Sequence, residues 1–172
     1  MSGRLNLLAL RIVFAGVLAA GATLAAGASV AQDLKLIGLD GQSATVTPAQ
    51  IAALPHVTLT LTVEGKTATY RGVPLTDILA MVGAPSGKAL KGPELRDVVL
   101  VEAKDGYAVA LALAETDALV RKDQILLADA ADGAPLPDGL GPYRLVVEGD
   151  QRGARLARMV TQIELKRLAP TP

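Results

Sequence analysis

Hydrophobic and polar positions alternate most regularly between His56 and Val63. Val57, Leu59, Leu61 and Val63 fall on one face and Thr58, Thr60 and Thr62 on the other, the period-two pattern of a half-buried strand. Glu64-Gly65-Lys66 then predicts a turn into a second strand, Thr67 to Tyr70, and hence a hairpin. Upstream, Leu34-Lys35-Leu36-Ile37 predicts a short strand that turns at Asp40-Gly41. Thr47-Pro48-Ala49-Gln50 predicts a helix start, with Thr47 as cap, Pro48 at the first helical position and Gln50 completing a capping box. Pro55 stops that helix after Leu54. A second helix opens at Pro74, carries Leu75, Ile78, Leu79 and Val82 on one face, and ends at Gly83 ahead of Pro85.

Residues 84–94 break the periodicity with Pro85, Gly87, Gly92 and Pro93 among Lys88 and Lys91, which predicts a surface loop. Val98 to Val101 and Tyr107 to Leu113 predict two strands joined by a hairpin turn at Lys104-Asp105-Gly106. Ala114 to Leu119 predicts a helical turn. Ile125 to Ala128 and Arg144 to Val147 are apolar strands separated by a Gly/Pro loop, and Met159 to Leu165 is the last strand. No segment repeats. Strands interspersed with short helices predict an α+β fold, a mixed, mainly antiparallel β-sheet structure with short peripheral helices, forming one domain over residues 32–172.

The N-terminus follows a different pattern. Arg4 and Arg11 make a basic start, Ile12 to Gln32 carries no charge, and Ser29-Val30-Ala31 places small residues before a cut. Residues 1–31 are therefore expected to be a signal peptide, with Gln32-Asp33 opening the mature protein. An uncleaved anchor is the rival, because an apolar run of this length can span a bilayer. The Ala/Gly-rich run and its cleavage site favour removal, after which no stable membrane span is expected. Arg4 and Arg11 are not a twin-arginine pair, so the expected route is general export to the periplasm or beyond. Without them, 15 basic residues face 17 acidic ones, a net charge of −2.

Composition mostly excludes. Hydrophobic residues make up 51% of the chain and aromatics only 2%, so the core must be built from Leu, Val, Ile and Ala. Near-neutral charge, three tyrosines and no tryptophan argue against nucleic acid as a partner. The chain has no cysteine, which removes disulfides, thiolate chemistry and cysteine metal sites. His56 is its only histidine; it can serve as a base or ligand, but following Pro55 it reads more simply as a strand-start residue. One histidine without cysteine makes a zinc site improbable, and Ser43 and Ser86, the only serines after residue 31, leave no material for a Ser-His-Asp triad. Asp129 and Asp132-Gly133 hint at a calcium loop but lack its alternating acidic pattern and read as a solvated turn. Glu102 and Glu115 are possible as an acid–base pair only if brought together in space.

Taken in order, several of these pieces resemble the molybdopterin-binding domain of the sulfite oxidase family. They are Tyr70-Arg71-Gly72-Val73-Pro74-Leu75 leading into a helix, Asp105-Gly106-Tyr107 before a strand, Ile125-Leu126-Leu127-Ala128, Gly133-Ala134-Pro135-Leu136, Gly141-Pro142-Tyr143-Arg144-Leu145-Val146-Val147, and the closing Ile163-Glu164. The resemblance runs from about Asp33 to Leu165 and implies the family's fold. It also implies that Tyr107 lies near the cofactor pocket and that arginines such as Arg144 bind an oxyanion or the pterin phosphate. Enzymes of that family hold molybdenum through a cysteine thiolate and the pterin dithiolene, and catalytic members have a longer N-terminal part that supplies the cysteine. This chain resembles a shortened version. The basic segment that grips the pterin phosphate is echoed only by Arg152, Arg155 and Arg158. Cofactor-loaded molybdenum enzymes are normally exported folded, whereas this leader is of the unfolded-export type.

Two functions follow from the resemblance. One is an exported, non-catalytic domain without cofactor or metal that binds a small ligand, an anion among the candidates, or a periplasmic protein partner. The other is a molybdopterin-dependent oxidoreductase or an accessory subunit of one. The expected ligand-binding residues are Tyr107, Arg144, Arg152 and Arg155, with Arg144 at the centre; no catalytic residue is expected. Tyr107 as a packed strand residue and Arg144 as a structural donor to loop carbonyls are the competing readings.

Overall fold

A computed structural model describes residues 32–170, so the expected signal peptide lies outside the described residues. Two sheets form. The first takes β1 (Leu34–Ile37), β2 (Ser43–Val46), β5 (Asp97–Ala103), β6 (Ala108–Ala112) and β10 (Val160–Arg167) in the order β2-β1-β10-β5-β6. The second takes β3 (Val57–Val63), β4 (Lys66–Pro74), β7 (Ile125–Ala131) and β8 (Ala134–Pro135) in that order, with β9 (Arg144–Val147) also paired to β7. The sheets and two short helices, α1 (Pro48–Ala52) and α2 (Leu75–Ala80), make an α+β fold. Pairing is antiparallel except between β1 and β10.

The local signals produce the elements for the reasons they were read. Thr47 Oγ1 accepts the Gln50 backbone N–H at 3.3 Å and Gln50 Oε1 accepts the Thr47 N–H at 2.8 Å, closing the capping box that starts α1. The β3–β4 hairpin sets Leu59 opposite Tyr70 and Leu61 opposite Ala68, while Thr60 and Thr62 pair their hydroxyls outward with Thr69 and Thr67. Leu75, Ile78 and Leu79 form the buried face of α2, and Gly83, at φ +70°, follows its last turn.

Three differences have physical causes. Ser43–Val46 pairs with β1 as a strand although only Val46 is fully buried, because the Asp40-Gly41 turn folds it back onto β1. Strand β4 continues to Pro74, with Pro74 opposite Leu126 and serving as the residue before α2. The 84–94 loop contains one 3-10 turn, Gly87–Ala89, and the start of another, Gly92–Arg96.

The larger core lies between the two sheets and under both helices. It joins Leu34, Leu36, Val99, Val101 and Ile163 of the first sheet to Val73, Leu127, Leu145 and Val147 of the second, with Ile51 and Ile78 from the helices. The outer face of the second sheet holds a smaller cluster of Leu59, Leu61, Tyr70, Leu126, Val146 and Leu156. Strand β7 is therefore apolar on both faces: Leu127 points to one cluster, Leu126 and Ala128 to the other. At the bulge between Arg71 and Gly72 the backbones of β4 and β7 nearly touch; a Cβ on Gly72 would lie 2.4 Å from the Leu127 carbonyl oxygen.

Candidate functional site

Arg144 opens β9 on the same face as Val146, which turns its side chain toward the smaller cluster. Its guanidinium lies over the Tyr70 ring, 5.5 Å from the centroid, and NH1 donates to the Tyr70 hydroxyl at 3.1 Å. Its Nε is buried and has no hydrogen-bond partner among the described residues. A cleft of about 290 Å³ borders the residue, walled by Asp105, Tyr107, Leu140, Leu156 and Arg158. Arg144 is thus neither enclosed by carbonyls nor fully paired.

Tyr107 reaches the same cleft from the end of the β5–β6 turn. Asp105 Oδ1 accepts its backbone N–H at 3.1 Å, and Gly106 supplies the left-handed φ of +84° that the turn requires. Its hydroxyl donates to the Ala154 carbonyl, so the phenol proton is already committed and Tyr107 enters the cleft as a wall. The structure brings Tyr107 and Arg144 together.

The other two predicted arginines stand apart. Arg152 is exposed and does not line the cleft. Arg155 forms a two-pronged pair with Asp150, Nε to Oδ2 at 2.9 Å and NH2 to Oδ1 at 2.6 Å, and adds NH1 to Glu115 at 3.4 Å. Those hydrogen bonds, the one to Asp150 first, hold its guanidinium even more firmly protonated than usual. Arg155 pins the loop after β9 to the Leu113–Thr116 turn. The cleft's second cation is Arg158, across an isolated backbone bridge from Arg144 and 3.9 Å from the Asp105 carboxylate.

A second constellation escaped the sequence reading. His56 has Nδ1 against the Leu54 carbonyl at 2.8 Å and Nε2 against Asp129 Oδ2 at 2.9 Å, with its side chain 7% exposed. Arg71 NH1 lies 3.2 Å from Asp129 Oδ1. Sequence separations of 73 and 58 residues hide both contacts from any local pattern. Asp132 Oδ1 accepts the Thr69 N–H, and no cluster of three potential metal ligands occurs among the described residues. The carboxylates of Glu102 and Glu115 have separate tasks: one accepts from Gln162, the other caps the Ala112 N–H and faces Arg155.

The family model for the oxidoreductase molybdopterin binding domain matches residues 31–170. The chain belongs to that family. The fold agrees: it is similar to the crystal structure of the sulfane dehydrogenase SoxCD from Paracoccus pantotrophus, with TM-score 0.61 and 20% sequence identity over 78% of this chain. The similarity spans 38% of that larger chain. A search of curated proteins gave no significant match. The family binds molybdopterin, but the donor set here does not fit a thiolate-held molybdenum, because the chain contains no cysteine. The Arg144 cleft is also at or below the lower end of the roughly 300–1,000 Å³ that drug-sized ligands occupy.

Proposed function

We propose that this family member is an exported, non-catalytic relative of the molybdopterin-binding domain whose Arg144 cleft takes a small anion, either free or as part of a protein partner. The observation that carries the reading is the buried, unpartnered Nε of Arg144 beside an open cleft. A buried donor without an acceptor costs about 1–3 kcal/mol. The Nε/NH2 edge is the geometry that grips an oxyanion with two parallel hydrogen bonds, while NH1 stays on Tyr70. Because Nε is shielded, seating an anion requires the guanidinium to tilt toward the cleft about its NH1–Tyr70 contact. Arg158 adds positive charge at the rim, and Tyr107 closes one side. The apolar, cleavable character of residues 1–31 supports export; among the described residues, no helix is long and apolar enough to cross a membrane.

The alternative, a molybdopterin-dependent oxidoreductase or an accessory subunit of one, is supported by family membership and opposed by the missing thiolate. Two measurements on the native protein purified from its host separate them. Inorganic sulfate is expected to bind, and Arg144→Lys, which keeps the charge but loses the planar fork, is expected to weaken it about tenfold without unfolding the chain. Unchanged sulfate affinity in that variant would remove the anion site. Stoichiometric molybdenum and pterin in the native protein would establish the alternative.

A further inference from the structure

A second pocket shares no wall with the Arg144 cleft. It has a volume of about 470 Å³, within the range of small-molecule sites. Tyr143 is adjacent to Arg144 in sequence but packs with the larger core, so the two side chains serve opposite sides of the second sheet. Pro48, Ile51, Pro135 and Pro142 make an apolar wall; Gln32 also lines the pocket, beside three further polar side chains, Arg71, Asp129 and Tyr143.

Each of the three is set in place with bonding capacity left over. The Asp129 carboxylate is fixed by His56 on one oxygen and by Arg71 on the other, and the Leu54 carbonyl anchors the far side of the His56 ring. A carboxylate offers about four acceptor positions, so these contacts do not exhaust it. Arg71 uses only NH1 on Asp129, and its Nε/NH2 edge has no partner among the described residues. The Tyr143 side chain is almost wholly buried against the core and lines the pocket, and its hydroxyl can both donate and accept. A simple anion on the Arg71 fork would lie beside the Asp129 charge, and a simple cation on Asp129 would lie beside Arg71. A zwitterion satisfies both.

We propose that this pocket binds a small apolar α-amino acid. The ligand's carboxylate takes the free Nε/NH2 fork of Arg71, its ammonium donates to Asp129 and to the Tyr143 oxygen, and its side chain rests on Ile51 and the prolines. The site is independent of the Arg144 reading.

L-Leucine is the probe, compared with 4-methylpentanoate, which lacks the ammonium, and 3-methylbutylamine, which lacks the carboxylate. Titrations of the native protein are followed by NMR signals of Ile51 and Tyr143. Leucine should shift both, and each singly charged analogue should bind at least about tenfold more weakly. Arg71 is half exposed, so Arg71→Gln should keep the thermal transition and lose about tenfold in leucine affinity. Arg144→Lys should leave leucine binding unchanged. Equal binding of either analogue, or no shift at millimolar leucine, would overturn the proposal on the native protein alone. Unchanged affinity in folded Arg71→Gln would do the same.

Discussion

Tyr143 lies in a loop segment between two glycine/proline turns and the first residue of β9, yet only 3% of it is exposed. Burial raises the energy of its phenolate, and the Asp129 and Asp33 carboxylates raise it further; together they push its pKa from 10.0 to about 12. Between those values the folded chain keeps a proton that the unfolded chain has released. The Tyr143 contribution is therefore complete below pH 10 and is lost as pH rises toward 12. A shift of that size corresponds to roughly 2–3 kcal/mol. Denaturant unfolding between pH 9 and 12, read beside a spectroscopic phenol titration, should show a steeper alkaline loss of stability for the native chain than for Tyr143→Phe. Identical slopes would mean that the hydroxyl is hydrated in the folded state. At this scale little was legible in the sequence. Tyr107 and Arg144 were paired through a family resemblance, whereas His56, Arg71 and Asp129 meet only because β3, β4 and β7 are neighbours, which no spacing encodes.

The strands themselves were easier to read, because a half-buried strand writes its two faces into alternate residues. Strand β3 follows from that rule, β5, β7 and β9 from short apolar runs, and both helices from their caps and breakers. Strand β2 was missed because Ser43-Ala44-Thr45-Val46 carries one large apolar residue, too few to show a period. The parallel β1–β10 pair joins the two ends of the described chain, and local sequence contains nothing about such a partner. Gly72 belongs to this scale as well. In the sequence it stood only within the Tyr70-Arg71-Gly72-Val73-Pro74-Leu75 motif that leads into a helix, but its role is to let β4 and β7 approach at the bulge. A methyl group there meets backbone atoms of Leu127 and Ala128 at 2.4–2.5 Å, and backbone in the middle of a three-strand ladder cannot step aside. Gly72→Ala is expected to cost at least about 3 kcal/mol in urea unfolding, against well under about 1 kcal/mol for the same change at an exposed, unstrained site. A loss below about 1 kcal/mol would show that the two strands can separate without disturbing the site residues that they hold.

Taken whole, the described residues are organised around a shared hydrocarbon core. Its larger core runs from Leu34 on β1 to Leu165 on β10 and draws side chains from both sheets and both helices, so neither sheet is buried without the other. Strand β7 threads between the two apolar clusters and links them. No disulfide can contribute, since there is no cysteine, and no group of three acidic or histidine side chains is placed to hold an ion among the described residues. Cohesion then rests on close packing of Leu, Ile and Val across the sheets, an interaction that chelators do not touch. Protein stripped with a chelator and dialysed free of small molecules should unfold in one cooperative thermal transition, superimposable on that of the untreated sample. Leu127→Ala, at the centre of β7, should lower stability by about 2–5 kcal/mol while keeping the transition single, because the cavity it leaves lies where the two sheets share one core. If the chelated protein instead lost its cooperative transition, a bound group would have to be holding the sheets together, and the molybdopterin reading would regain the ground that the missing thiolate takes from it.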